Sequence, residues 1–233
     1  IAVDAFAAAL GVTLFISSRS FTDYSTSGLE NPLTHLLLVA FVAVWGRHAP
    51  GPRRTLWLAA LTAAIMLNRI DAGVLVLPAF AISAWQRPLR PHVVATAVGF
   101  LPLVAWEAFS LVYYGFLFPN TAYAKLSTGI SQLDLMAQAV YYFGHSLKTD
   151  APTLLTVAVA IALVATRRRF DAWPLALGIL LYLVYIVRIG GDFMAGRFFA
   201  APFLVAVMII CRGPLPVGWA LGVDRTVLAL EAE

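Results

Sequence analysis

The chain has 233 residues, 61% of them hydrophobic and 12% charged, and a mean hydropathy of +0.84. Soluble domains are closer to half apolar and about a quarter charged, so a single globular core cannot absorb this excess. The net charge of +4 and pI of about 9.5 fit basic loops that orient a membrane protein better than a nucleic-acid surface, and no nucleic-acid partner is expected.

Stretches such as residues 154–165, LLTVAVAIALVA, are apolar on every face. That suits helices in lipid and excludes barrel strands, which alternate apolar and polar residues. In chain order the apolar segments are 2–16, 33–45, 55–67, 72–85, 93–115, 151–166, 173–187 and 198–211. The expected fold is all-α, a polytopic transmembrane bundle of about eight spans. Several segments fall short of the roughly 20 residues a span needs, so their helices must extend into the flanking loops. The chain opens on Ile1 with no basic region or cleavage site before the apolar run, which reads as a single transmembrane domain, 1–233, cut from a larger protein. Whether the tail 213–233 spans is left open. Cys211, the single cysteine, excludes an internal disulfide and any CxxC metal site.

Taken alternately, the loops divide by charge. The set 46–54, 86–92, 167–171 and 212–213 holds nine arginines and one acid, Asp171, and is assigned to the cytoplasmic side. The set 17–32, 68–71, 116–150 and 188–197 mixes both signs and is rich in Gly, Asn, Tyr and Thr; it is assigned to the outer face, or to the lumenal one in a eukaryote. Within 116–150, QLDLMAQAVYYFGHSL has apolar residues at helical spacing. It is either an amphipathic surface helix or an ordinary connecting helix.

Four outer stretches carry the candidate chemistry. Residues 18–35 offer Asp23, Glu30 and Asn31, with Asn31 a candidate N-cap before Pro32. In LNRIDAG (67–73), Arg69 and Asp71 interrupt two apolar segments; charges at that depth pair structurally or serve function. Residues 113–125, YYGFLFPNTAYAK, supply Asn120 and Lys125 among aromatics that suit an interfacial belt or a stacking wall. In RIGGDFMAGRF (188–198), Gly190 and Gly191 let the chain bend beside Asp192, and Arg188 and Arg197 suit bidentate phosphate binding. A lipid-linked phosphosugar needs a groove open to lipid, cations for its phosphate and a carboxylate near the reacting hydroxyl, which these loops offer together. The four histidines are scattered, so no zinc cluster is expected, and the nucleophile-elbow, P-loop and dinucleotide fingerprints are missing from the sequence. A divalent cation on the carboxylates stays possible. Intramembrane charges also suit a secondary transporter, and a non-catalytic membrane assembly role is a further alternative.

FTDYSTSGLENPLTHLL, LNRIDAG, YYGFLFPNTAYAK and GGDFMAGRFF, in that order over residues 21–199, resemble the GT-C class of membrane glycosyltransferases, and more narrowly the terminal arabinofuranosyltransferases of mycobacterial cell walls. The resemblance implies a GT-C-like bundle that takes a sugar from a polyprenyl-phosphate donor, arabinofuranose in that family, to a cell-envelope glycan acceptor at the outer leaflet. It also implies that the main catalytic acids lie upstream of Ile1, that a soluble C-terminal domain follows the bundle, and that the fragment alone is inactive. Asp23, Glu30, Arg69, Asp71, Asn120, Lys125, Asp192 and Arg197 match motif positions, with Asn31 and Arg188 beside them, as substrate-binding candidates.

Overall fold

A computed structural model describes residues 4–117, 129–166 and 171–213. Every described element is helical. In chain order they are α1 (Ala5–Ser17), α2 (Arg19–Ser25), α3 (Asn31–Arg47), α4 (Pro52–Asn68), a 3₁₀ turn (Ile70–Ala72), α5 (Gly73–Ala84), α6 (Leu89–Tyr114), α7 (Gln132–Thr149), α8 (Ala151–Thr166), α9 (Trp173–Ile189), a 3₁₀ turn (Arg197–Phe199) and α10 (Ala200–Arg212).

All eight apolar segments are helices, but most are short. α6 alone, at 26 residues, is long and apolar enough to cross a membrane by itself. The pairs α1–α2 and α7–α8 qualify only when joined, and they bend by 79° and 106°. Length and composition therefore give one span, or up to three, among the described residues, where apolar segments alone predict about eight. The difference is one of length, since α1, α3, α4, α5, α8, α9 and α10 have 17 residues or fewer, and of breaks at polar residues. Ser18 accepts the Phe21 amide at 3.1 Å and starts α2, and Asp150 separates α7 from α8.

α10 is the centre of the molecule. Every residue from Ala200 to Cys211 is buried, and α1, α3, α8 and α9 pack around it. A helix apolar on all sides needs neighbours on all sides. The crossing of α5 and α9 is equally close: a Cβ on Gly178 would collide with the Leu75 carbonyl, so only glycine lets the two backbones approach. α6 lies at the periphery against α4 and α5, with Val94, Leu101, Val104 and Val112 exposed.

Hydrogen bonds sort the turns into two ends. At one end the start of α3 meets the end of α4 through Asn68 and Thr34, 2.8 Å apart. At the other, Thr55 near the start of α4 meets Ser83 at the end of α5 and His92 at the start of α6, at 3.0 and 2.8 Å. Where they are described, the loops that separated by charge in the sequence thus separate in space.

Candidate functional site

Acidic and basic residues from three of the four motif stretches meet at the first of these ends. α4 stops at Asn68, and Arg69 follows in extended conformation, which turns its side chain inward; its side chain is 6% exposed. The guanidinium donates to Asp71 through Nε (3.1 Å to Oδ1) and Nη2 (2.9 Å to Oδ2), to Asn31 Oδ1 (2.9 Å) and to the Tyr182 hydroxyl (2.9 Å). Tyr182 in turn donates to Asp71 Oδ2 at 2.8 Å. The Arg69 guanidinium also stands 4.9 Å over the Phe198 ring, a cation–π contact. Burial opposes its charge, but Tyr182 and Asp71 outweigh burial and raise its pKa further. Arg69 is therefore cationic at every accessible pH.

A second ion set continues from the first. Glu30 Oε1 lies 3.9 Å from Arg69 Nε and 2.7 Å from Arg197 Nη2, and Arg197 Nη1 lies 3.4 Å from Asp192 Oδ2. Burial pushes Glu30 up, yet the Arg197 hydrogen bond, with the charges of Arg197 and Arg69, holds its carboxyl below the usual value of 4.5. The loop that carries Asp192 turns through Gly190 and Gly191, both at positive φ, where a side chain would be strained. A Cβ on Gly191 would also strike the Tyr142 ring. Tyr142 pins the same loop by donating to the Met194 carbonyl at 3.3 Å and accepting from the Phe198 amide at 3.3 Å.

Two concavities flank this network. A polar cleft of about 250 Å³ is lined by Arg19, Asp23, Tyr24, His145, Asp150 and Gly196, among others. An apolar groove of about 500 Å³ runs between α7 and α9, lined by Met136, Phe143, Leu180, Leu183 and Val184, with Gln132 and Arg188 at its edge. Arg188 is exposed and has no carboxylate in ion-pair range among the described residues.

Known proteins similar to this chain point the same way. Over 251 aligned residues it is 28% identical to the terminal β-(1→2)-arabinofuranosyltransferase of Mycobacterium tuberculosis, covering 89% of the chain. The chain is thus similar to terminal arabinofuranosyltransferases. The enzyme of that name from Corynebacterium glutamicum is 25% identical over 154 residues, 54% of the chain. The alignments span 38% of the mycobacterial and 21% of the corynebacterial protein. No protein-family model and no solved structure matches.

In this chain the ten candidate residues separate. Glu30, Asn31, Arg69, Asp71, Asp192 and Arg197 form the network. Asp23 stands apart in the cleft wall, paired with Arg19 at 3.3 Å on the exposed side of α2. Arg188 stands at the groove. Asn120 and Lys125 lie outside the described residues. Asn31 is not an N-cap: it is the first helical residue, Glu30 precedes it without a side-chain cap, and the Asn31 carboxamide is turned to Arg69. Arg69 wins because a buried cation makes the stronger hydrogen bond. α6 ends at Gly115, in left-handed conformation at φ 76°.

Sequence reasoning missed Tyr182, Tyr142 and Asp150. Tyr182 is one of two hydroxyls, with Tyr185, inside an aliphatic run, which was its available signal. Asp150, 6% exposed, accepts the amides of Arg19 (3.2 Å) and Ser20 (2.8 Å) and the hydroxyls of Ser20 and Thr153 (2.6 Å each). It thus joins the α7–α8 break to the α1–α2 break. Among the described residues no three His, Cys, Asp or Glu converge as a metal-holding group. A divalent cation would have to displace Arg69 or Arg197 from Glu30, Asp71 and Asp192.

Proposed function

We propose that this chain is part of a bacterial plasma-membrane glycosyltransferase that moves a sugar, arabinofuranose, from a polyprenyl-phosphate donor to a cell-envelope glycan at the outer face. On this reading the bundle is a polytopic, GT-C-like transmembrane domain of about eight short spans. The observation that carries the proposal is the convergence of Glu30, Arg69, Asp71, Asp192 and Arg197 at one end of an apolar bundle whose sequence matches arabinofuranosyltransferases. A transporter would be expected to hold its polar groups near mid-membrane; these sit at helix ends.

The geometry supports a division of labour. The α7–α9 groove takes the isoprenoid tail, and Arg188 at its edge meets the phosphate, which leaves as the glycosyl bond breaks. Asn120 and Lys125 are proposed as further donor contacts. Arg197, shared between Glu30 and Asp192, meets the phosphate only as part of that ion set. Glu30, held ionised, is a poor proton acceptor at neutral pH, so Glu30, Asp71, Asp192 and Asp23 are proposed to bind sugar hydroxyls and organise the loops.

Transfer from a labelled polyprenyl-phosphate sugar, measured in membranes carrying the protein, tests this. Arg188→Ala should raise KM for the lipid donor about tenfold or more while kcat changes less, the loss of a charge-assisted phosphate contact. Arg197→Ala should strongly reduce transfer. Unchanged turnover in both variants would remove the phosphate role, and transport of the label without covalent product would favour a transporter.

A further inference from the structure

The opposite end of the bundle holds two arginines that the transfer reaction does not use. Arg54 is 8% exposed. Its guanidinium lies 4.2 Å over the Trp45 ring and donates one long hydrogen bond, 3.4 Å, to the His48 carbonyl. Arg212 donates at 3.3 Å to the Val42 carbonyl, and its guanidinium lies against Gly46, where a Cβ would collide with it. The two charges act on each other.

Part of this has a local explanation. Both arginines serve carbonyls at the C-terminal end of α3, where cations complement the helix dipole. Yet a guanidinium carries five N–H donors, and among the described residues each of the two finds one acceptor. Arg54 Nε is buried without a hydrogen-bond partner. Among the described residues neither arginine has a carboxylate in ion-pair range; Asp171 acts on Arg212 only at longer range. Two like charges at the same end of α3, close enough for one to act on the other and with donors to spare among the described residues, are stabilised by an anion that takes both.

The surroundings identify the anion's source. Trp57, Trp85 and Trp173 are 49%, 81% and 53% exposed, and with Trp45 they all stand at this end of their helices. Tryptophans gathered at one end of an apolar bundle mark the headgroup level of a bilayer, and basic pockets between helices at that level suit phosphate headgroups. We propose that Arg54 and Arg212, walled by Trp45, hold the headgroup phosphate of an acidic membrane phospholipid. Exposed Arg47 and Arg53 add long-range attraction without direct contact. The site rests on the membrane reading of the chain, not on the transfer reaction.

Native mass spectrometry of the full-length protein from detergent tests it, with phosphatidylglycerol, phosphatidylcholine of matched chains, and inorganic phosphate as separate probes. Phosphatidylglycerol should be retained in preference to phosphatidylcholine, and R54Q/R212Q should lower its retention about tenfold. R47Q/R53Q should change retention by no more than about twofold. R54K/R212K keeps the charge and guards against misfolding; it should still lose the preference several-fold, because a point charge does not replace the planar fork. No preference in the parent protein, an equal loss in R47Q/R53Q, full retention in R54K/R212K, or phosphate binding without lipid preference would each overturn the site. Because the readout needs no transfer reaction, its failure and that of the transferase reading are distinguishable.

Discussion

At Arg69 a single buried cation decides the local chemistry. Asp71, Asn31 and the Tyr182 hydroxyl share its donors, so removing any one leaves charge or polarity unpaired. Tyr182→Phe should destabilise by about 1–3 kcal/mol, since it strips one acceptor from Arg69 and one donor from Asp71. Asp71→Ala should do more, about 3–5 kcal/mol, because it strands the buried guanidinium. Thermal unfolding in detergent checks the order; equal effects would mean the charge is not buried as described. Glu30 makes a pH prediction. Its folded pKa is depressed, so the unfolded chain binds the proton more readily and stability rises with pH through this range. The contribution is fully present above pH 4.5, the ordinary value, and is lost as pH falls through the lower folded value. Melting curves from pH 7 down to 3 should show a steeper acid fall for the parent than for Glu30→Gln; parallel curves would remove Glu30 from the linkage.

Between helices, the breaks matter more than the spans. Asp150 caps the start of α2 from a distant part of the chain and thereby sets where Asp23 and Tyr24 stand along the cleft. Asp150→Ala should leave the Arg19 and Ser20 amides unpaired, at about 1–3 kcal/mol each, and hydrogen exchange should rise first in α2. Uniformly faster exchange would argue instead for global destabilisation. At the α5–α9 crossing, Gly178→Ala should cost about 1–3 kcal/mol through overpacking against the Leu75 carbonyl. The apolar runs that make these helices were readable because hydrophobicity accumulates locally. The 79° and 106° bends were not, since the two breaks hold their shape only when Ser18 meets Thr153 and Asp150 meets Ser20.

Across the whole molecule, the two ends carry opposite chemistry. One gathers carboxylates around shared arginines; the other leaves arginines with spare donors. This arrangement predicts that Leu183→Gln, in the apolar groove, weakens the use of long-tailed lipid donors more than short-tailed ones. Transfer rates with matched donors of two tail lengths would measure it, and equal losses would place the tail elsewhere.

The sequence by itself determined the all-helical class, the eight apolar segments, the charge asymmetry of the loops and six of the residues that meet in the network. Composition and short motifs carry that much because lipid-compatible helices and charged turns are local properties. Only the tertiary structure decided which charges neutralise each other, that Asn31 serves Arg69 instead of capping α3, that Tyr182 and Asp150 belong to the polar frame, and that Arg188 stands apart. Those outcomes depend on contacts between residues 38 to 167 positions apart, and no local pattern encodes which distant partner a buried charge will find.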